Sequence, residues 1–254
     1  MIVLGDIHSN AIALEAALDS ATAIGFDRLI LLGDLFTYGA EPRTVFELVG
    51  EAQERHGALL LTGNHDEFYL NPDERTLAYL ENLRPWIRES VDWTRQELEG
   101  VALDTLEWRE SHIASGVYFA HANPFDFPDW RYLNTEAELR DAAAALGERG
   151  HQVGVFGHTH RQKVVGISGD KVRTSTVHSC SIPAADPLTV VDAGSVGQPR
   201  NQEKRSFLLR LDSRGGEFEF EFVPIDYDVD KHKALIRDAG LSDTTTDKLM
   251  GFFA

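Results

Sequence analysis

Five times in the first 160 residues a short apolar run ends abruptly in glycine, aspartate, asparagine or histidine. Residues 1–4 run into Gly5-Asp6-Ile7-His8, 28–32 into Gly33-Asp34, and 58–62 into Gly63-Asn64-His65-Asp66. Residues 117–120 run into His121, and 153–156 into Gly157-His158-Thr159-His160. Runs this short, bounded by turn residues, read as buried strands. The first two spacers have helical character. Leu14, Leu18 and Ala21 share a face, with Ser9 or Asn10 as cap and Gly25 as stop, and residues 42–55 carry proline in their first turn. Strand alternating with helix predicts a mostly parallel sheet with right-handed crossovers. The carboxyl ends of such strands open on one crevice, so polar residues far apart in the chain can meet there.

Downstream, residues 72–110 look helical, and Thr135 with Glu138 forms a capping box opening a helix through Leu146. The texture then changes. Residues 163–167, 171–176 and 188–191 read as short strands, and 206–211 with 217–223 as a hairpin around Arg214-Gly215-Gly216. Phe218, Phe220 and Phe222 alternate with Glu217, Glu219 and Glu221, the pattern of a strand with one apolar face. A last helix is expected over 228–239, stopped by Gly240. No repeat or low-complexity linker interrupts the chain, so one domain over 1–254 is expected.

Charge narrows the partners. Lys plus Arg total 24 against 41 Asp plus Glu, a formal net charge of -17. That field repels long nucleic acids but admits a small phosphorylated substrate if bound cations reverse the local sign. The single cysteine, Cys180, excludes an internal disulfide and a thiolate metal cluster. The N-terminus lacks a basic region followed by a long apolar stretch, and no apolar run approaches the ~20 residues of a membrane span. A cytoplasmic protein without membrane attachment is the expectation.

Asp6, His8, Asp34, Asn64, His121, His158 and His160 are seven oxygen and nitrogen donors at strand ends. Read as extended backbone, Asp6 with His8 and His158 with His160 aim to one side, since side chains two apart share a face. Carboxylate, imidazole and amide without thiolate suit Mn, Fe or Zn better than Ca or Mg. Seven donors exceed one open catalytic ion and suit two ions sharing Asp34. His56, His112, His151, His178 and His232 lie outside these blocks and read as packing or surface residues. Arg200, with the 194–197 loop before it, reads either as a phosphate-binding element or as a tight turn between strands. Asn123, Phe125, Phe127, Trp130 and Tyr132 follow His121 and read either as a substrate wall or as packing.

The five blocks, in order, resemble the calcineurin-like metallophosphoesterase superfamily, whose pattern is D-x-H, G-D, G-N-H-[DE], a lone H, then G-H-x-H. Trp93-Thr94-Arg95-Gln96-Glu97-Leu98, the 193–200 segment and Ile225-Asp226-Tyr227-Asp228 resemble a branch of small bacterial and archaeal predicted phosphoesterases. The resemblance implies an α/β fold, a four-layer αββα sandwich of two mixed sheets. It implies one metal held by Asp6, His8, Asp34 and His160, and a second by Asp34, Asn64, His121 and His158. His65 would lie just beyond the ligands with Asp66 orienting its ring, acting as the acid that protonates the leaving oxygen. The implied cofactors are two divalent ions, Mn foremost with Fe or Zn as alternatives, and the attacking group is a metal-bridging hydroxide.

The second block, Gly33-Asp34-Leu35-Phe36-Thr37-Tyr38-Gly39, lacks the Asp-Arg pair of the G-D-x-V-D-R-G found in Ser/Thr protein phosphatases and symmetrical diadenosine tetraphosphate hydrolases. Hydrolysis of a phosphodiester or phosphomonoester bond in a small substrate is therefore the first expectation. A dinucleoside polyphosphate hydrolase or protein phosphatase stands behind it. A catalytically silent scaffold of the same fold is the alternative from a different class.

Overall fold

The computed structural model describes residues 1–176, 179–183, 187–214 and 217–253. The first half lays down β1 (Ile2–Leu4), α1 (Ala11–Ile24), β2 (Leu29–Leu31), α2 (Pro42–His56) and β3 (Leu59–Leu61). Next come α3 (Glu67–Leu70), α4 (Glu74–Glu81), α5 (Pro85–Glu97) and a 3₁₀ turn, followed by β4 (Trp108–Arg109), β5 (Ser111–Ala114) and β6 (Val117–Ala120). The second half adds α6 (Glu136–Glu148), β7 (Val153–Phe156), β8 (Lys163–Ser168), β9 (Lys171–Ser175), β10 (Ser179–Pro183) and β11 (Leu188–Asp192). It closes with β12 (Ser206–Arg214), β13 (Glu217–Ile225), α7 (Val229–Asp238) and α8 (Asp243–Met250).

Two mixed sheets result, ordered β10-β13-β12-β1-β2-β3-β4 and β5-β6-β7-β11-β8-β9. Strands β1 to β4 are parallel, as are β6, β7 and β11, and the antiparallel strands are added at the flanks. Strand periodicity sorts the side chains into layers. Ile2, Leu4, Leu29 and Leu31 pack with Leu14, Ala17, Val45 and Val49 of α1 and α2. Val3 and Ile30, one residue out of phase, join Phe220 of β13 in facing the second sheet, where Phe119, Val155 and Val191 meet them. The outer face of that sheet, with Tyr118, Phe156 and Val190, is covered by Leu139, Ala142, Ala143 and Leu146 of α6. The order helix, sheet, sheet, helix follows from period-2 side-chain alternation in strands that are apolar on both faces. Among the described residues no helix is long and apolar enough to cross a membrane.

The helical reading of 72–110 holds only to residue 97. Gly100 turns the chain at φ 79°, and Leu98, Leu103 and Leu106 cross the α1–α2 core as an irregular segment before β4. Apolar spacing here reflects burial, which a loop over a core produces as readily as a helix. Helix α8 and strands β4, β5 and β10 also went unseen in the sequence, and Gly215-Gly216 of the expected hairpin turn lie outside the described residues.

Gly50 lies inside α2, where a Cβ would meet only the Leu106 Cδ2 at 3.7 Å, an ordinary contact. Gly50→Ala is expected to stabilise the fold by about 0.5–1 kcal/mol through helix propensity, read from the urea midpoint. Any destabilisation would contradict that packing.

Candidate metal centre

All seven strand-end donors sit at one end of the two sheets, and each is at least 97% buried. Their backbone corrects one sequence expectation. Asp6, His8, Asp34, His158 and His160 have φ values of 52°, 49°, 51°, 69° and 59°, so left-handed turns, not extended backbone, aim these side chains together. Such conformations cost non-glycine residues on the order of 1–3 kcal/mol each and persist where the surroundings fix them.

The surroundings here are a lattice of backbone bonds. His8 N donates to Asp34 O at 2.9 Å, Gly157 N to His121 O at 2.7 Å, Val196 N to Gly5 O at 2.8 Å and Gly197 N to Asp6 O at 3.0 Å. The His158 N–H reaches both oxygens of the Asp6 carboxylate at 3.1 Å. Asp66 accepts from the N–H groups of Asp34, Leu35 and Gly63 at 2.8–2.9 Å. Asp66 therefore ties the second and third blocks together and does not reach the His65 ring, contrary to expectation. Its carboxyl is pushed up to about 7 by burial and by Asp34. The group that meets His65 is Tyr38, whose hydroxyl lies 3.1 Å from Nε2. Burial holds the His65 imidazole down at about 4, so it is neutral near pH 7 rather than protonated as expected.

Ring orientation settles which nitrogens face inward. The Nδ1 atoms of His8, His121 and His160 lie 3.0, 2.8 and 2.6 Å from the carbonyls of Phe36, Leu32 and Gln198. A carbonyl only accepts, so each Nδ1 carries the hydrogen when the ring is neutral, and each Nε2 is left with its lone pair. His158 is reversed: Nε2 meets the Trp130 carbonyl at 3.0 Å, leaving Nδ1 as the lone-pair atom.

These lone pairs converge. His8 Nε2 and His160 Nε2 are 3.2 Å apart, and His160 Nε2 is 3.3 Å from Asp6 Oδ1. Asp34 Oδ2 lies 3.6 Å from His8 Nε2 and 3.5 Å from His121 Nε2, which is itself 3.2 Å from Asn64 Oδ1. A cation with ligand bonds of about 2.0–2.2 Å separates neighbouring donors by roughly 3.0–3.5 Å, which is the spacing seen. Two groups emerge, Asp6, His8, Asp34 and His160, and Asp34, His121 and His158, joined through Asp34. Asn64 adds its amide oxygen to the second. The residues fit a pair of divalent cations.

Electrostatics agree with that fit. Burial holds His8 and His160 well below the ordinary imidazole value and His158 down at about 3, so these rings stay neutral. Burial would also lower His121, but the Asp34 carboxylate overrides it and holds the ring up at about 9. Asp34, which burial alone would raise, is held well below its usual range chiefly by His121 and His65.

The remaining sequence candidates separate clearly. The N–H groups of Gly194, Val196, Gly197 and Gln198 are bound to Asp192, Gly5, Asp6 and the Ser195 hydroxyl, so most of the backbone donors of the 194–197 loop are used within a packed turn. Arg200 sits beside it, its backbone N–H on the His160 carbonyl at 3.2 Å. Asn123 organises its own loop through Asp129, Arg131 and Phe125. Of the aromatics after it, Tyr132 stacks on His158 at 4.0 Å and Trp130 meets His121 edge-on at 5.8 Å. Phe127 packs on Trp130, and Phe125 belongs to the core under α6. His56, His112, His151 and His232 join neither donor group, and His178 lies outside the described residues.

Three contributors escaped the sequence reading. Tyr38 lies in the second block and Gln198 in the 193–200 segment, but neither carried a signal of its own. Asp192, the last residue of β11, did repeat the strand-end signal; it accepts from Thr159 Oγ1 at 2.5 Å and Gly194 N at 3.0 Å, pinning the His158–His160 turn to the neighbouring loop.

Residues 1–214 match the family model of the calcineurin-like phosphoesterase superfamily domain. An uncharacterized protein of Methanocaldococcus jannaschii is 28% identical over 235 residues, 90% of this chain and 88% of that protein. Among solved structures, a metallophosphoesterase from Sphaerobacter thermophilus superposes with a TM-score of 0.74 at 24% identity, covering 99% of this chain and 98% of its own. A hypothetical protein from Pyrococcus horikoshii OT3 superposes with a TM-score of 0.76 at 15% identity, covering 98% and 96%. Likeness at these identities speaks to the fold.

Proposed function

The chain belongs to the calcineurin-like phosphoesterase superfamily, and we propose that it hydrolyses a phosphodiester or phosphomonoester bond in a small substrate using two divalent cations. One observation carries this reading. Four histidines give one nitrogen each to a backbone carbonyl, and their remaining lone pairs converge with two carboxylates into two groups sharing Asp34. Buried lone pairs 3.2 Å apart repel one another unless a cation lies between them.

Asp6, His8, Asp34 and His160 would hold one ion, and Asp34, Asn64, His121 and His158 the other. Mn, Fe and Zn suit such a donor set, with Mn the first choice. The pair would supply a water acidified to near-neutral pKa and positive charge beside the phosphoryl oxygens. The protein's own part is positional. Carbonyls of Phe36, Leu32, Gln198 and Trp130 fix the four rings, Asp66 fixes the backbone turns, and Asp192 fixes the loop carrying His158 and His160. Tyr132, on the face of His158 and 41% exposed, lies toward the approach from solvent.

The neutral His65 ring and the Tyr38 hydroxyl, 3.1 Å apart, would hydrogen-bond the leaving oxygen as it takes up its proton. His65 lies edge-on to His8 at 5.2 Å and joins neither donor group. His65→Ala is expected to lower turnover about 10²–10⁴-fold, the usual worth of a positioned acid, with metal content unchanged; metal loss in this variant would instead make His65 structural. Elemental analysis with hydrolysis of bis-p-nitrophenyl phosphate and p-nitrophenyl phosphate in Mn²⁺ tests the main reading. About two ions per chain and turnover abolished by chelator are expected. A protein that holds no metal and turns over neither ester would be a silent scaffold.

A further inference from the structure

The second block keeps both of its bounding glycines, Gly33 and Gly39, so its register against G-D-x-V-D-R-G is fixed, and Tyr38 stands at the arginine position. A guanidinium nevertheless lies at that place. The Cζ of Arg200 is 6.0 Å from the Tyr38 ring centroid and 5.4 Å from that of Phe252. The cation thus approaches the faces of two aromatic rings, a placement such rings favour.

Its backbone is as firmly set as a ligand's. His160 Nδ1 meets the Gln198 carbonyl at 2.6 Å, and Arg200 N donates back to the His160 carbonyl at 3.2 Å. Along the side chain, Nε and Nη2 donate to Gln198 Oε1 at 3.2 and 2.8 Å, and no partner of Nη1 is seen among the described residues. Among the described residues no carboxylate pairs with this guanidinium. A half-buried cation beside the two donor groups, with its fork only partly used, matches the needs of a tetrahedral oxyanion.

We propose that Arg200 receives the phosphoryl oxygens of the substrate in place of the arginine missing from the second block, and that Phe252 is the residue that positions it. Phe252 comes from the segment after α8, beyond the 214 residues that match the family model. The ligands are thus supplied by the strand ends, while this wall is completed from the far end of the chain. The inference rests on the phosphoesterase reading.

Inorganic phosphate is the probe, titrated calorimetrically into Mn²⁺-loaded full-length protein, with metal content and thermal melting measured in parallel. Arg200→Ala is expected to weaken phosphate binding about 10–100-fold, the worth of a charged hydrogen bond, with metal content unchanged. Arg200→Lys should recover part of this loss, because charge returns without the fork. Phe252→Leu should weaken binding about 3–10-fold alone and add nothing once Arg200 is alanine. A structural role for Phe252 would instead give additive losses and overturn that half of the proposal. Phosphate bound within twofold by wild type and Arg200→Ala overturns the other half. A wild type that takes up metal yet shows no phosphate binding also defeats it, whereas a wild type that takes up no metal removes the phosphoesterase reading itself.

Discussion

Asp34→Asn is expected to reduce bound metal from about two ions per chain to one or fewer, and to lower turnover by at least about 10³-fold. The change is nearly isosteric, which makes it informative. Asp34 Oδ1 accepts the His65 N–H at 2.9 Å, and an asparagine oxygen can keep that bond. Oδ2 then becomes an NH₂ between His8 Nε2 and His121 Nε2, 3.6 and 3.5 Å away. A shared anionic ligand is replaced by a donor that no cation accepts as a bridge. A thousandfold in rate corresponds to about 4 kcal/mol, in keeping with the loss of a charge both groups share. Elemental analysis with ester turnover measures both effects. Two ions per chain with wild-type turnover in this variant would sink the shared-ligand assignment.

Gly197→Ala is expected to cost at least about 3 kcal/mol of stability, the upper end of over-packing costs, and to strip metal from the site. A Cβ at this position would overlap the Ile7 carbonyl, which belongs to the turn between Asp6 and His8. The obstacle is backbone, and it has nowhere to go. Gly197 N is bound to Asp6 O, Ser195 Oγ donates to that same carbonyl at 2.8 Å, and Ile7 is fully buried. Relief would have to displace the first block, and two proposed ligands with it. Denaturant titration beside Gly50→Ala separates this crowding from any general effect of adding a methyl group. A loss smaller than about 1 kcal/mol would show that the two loops can part without harm.

The ligand positions were legible because each ends a short apolar run, and sheet topology brings strand ends together whatever the helices between them do. Thr135 with Glu138 likewise announced α6, since a capping box is a purely local device. Segment 98–110 departs from the helical expectation because Leu98, Leu103 and Leu106 pack on the core that α1 and α2 share, which fixes a loop without a 3.6-residue period. Asp66 was misassigned for a related reason. Adjacency to His65 suggested a side-chain partner, but the folded turn points the carboxylate at three backbone N–H groups.

The sequence by itself determined the chemistry on offer: hard and borderline donors at five strand ends, no thiolate, and a parallel βαβ frame to gather them. These follow from residue type and from periodicities of two and 3.6, which are local properties. Only the tertiary structure decided how the donors are used. Left-handed turns, not extended strands, aim Asp6 with His8 and His158 with His160. Carbonyls from distant segments choose which nitrogen each histidine keeps free, Tyr38 in place of Asp66 meets His65, and Phe252 arrives beside Arg200 from 52 positions away. Each of these depends on a contact between segments remote in the chain, and a pattern of neighbours along the sequence holds no record of such contacts.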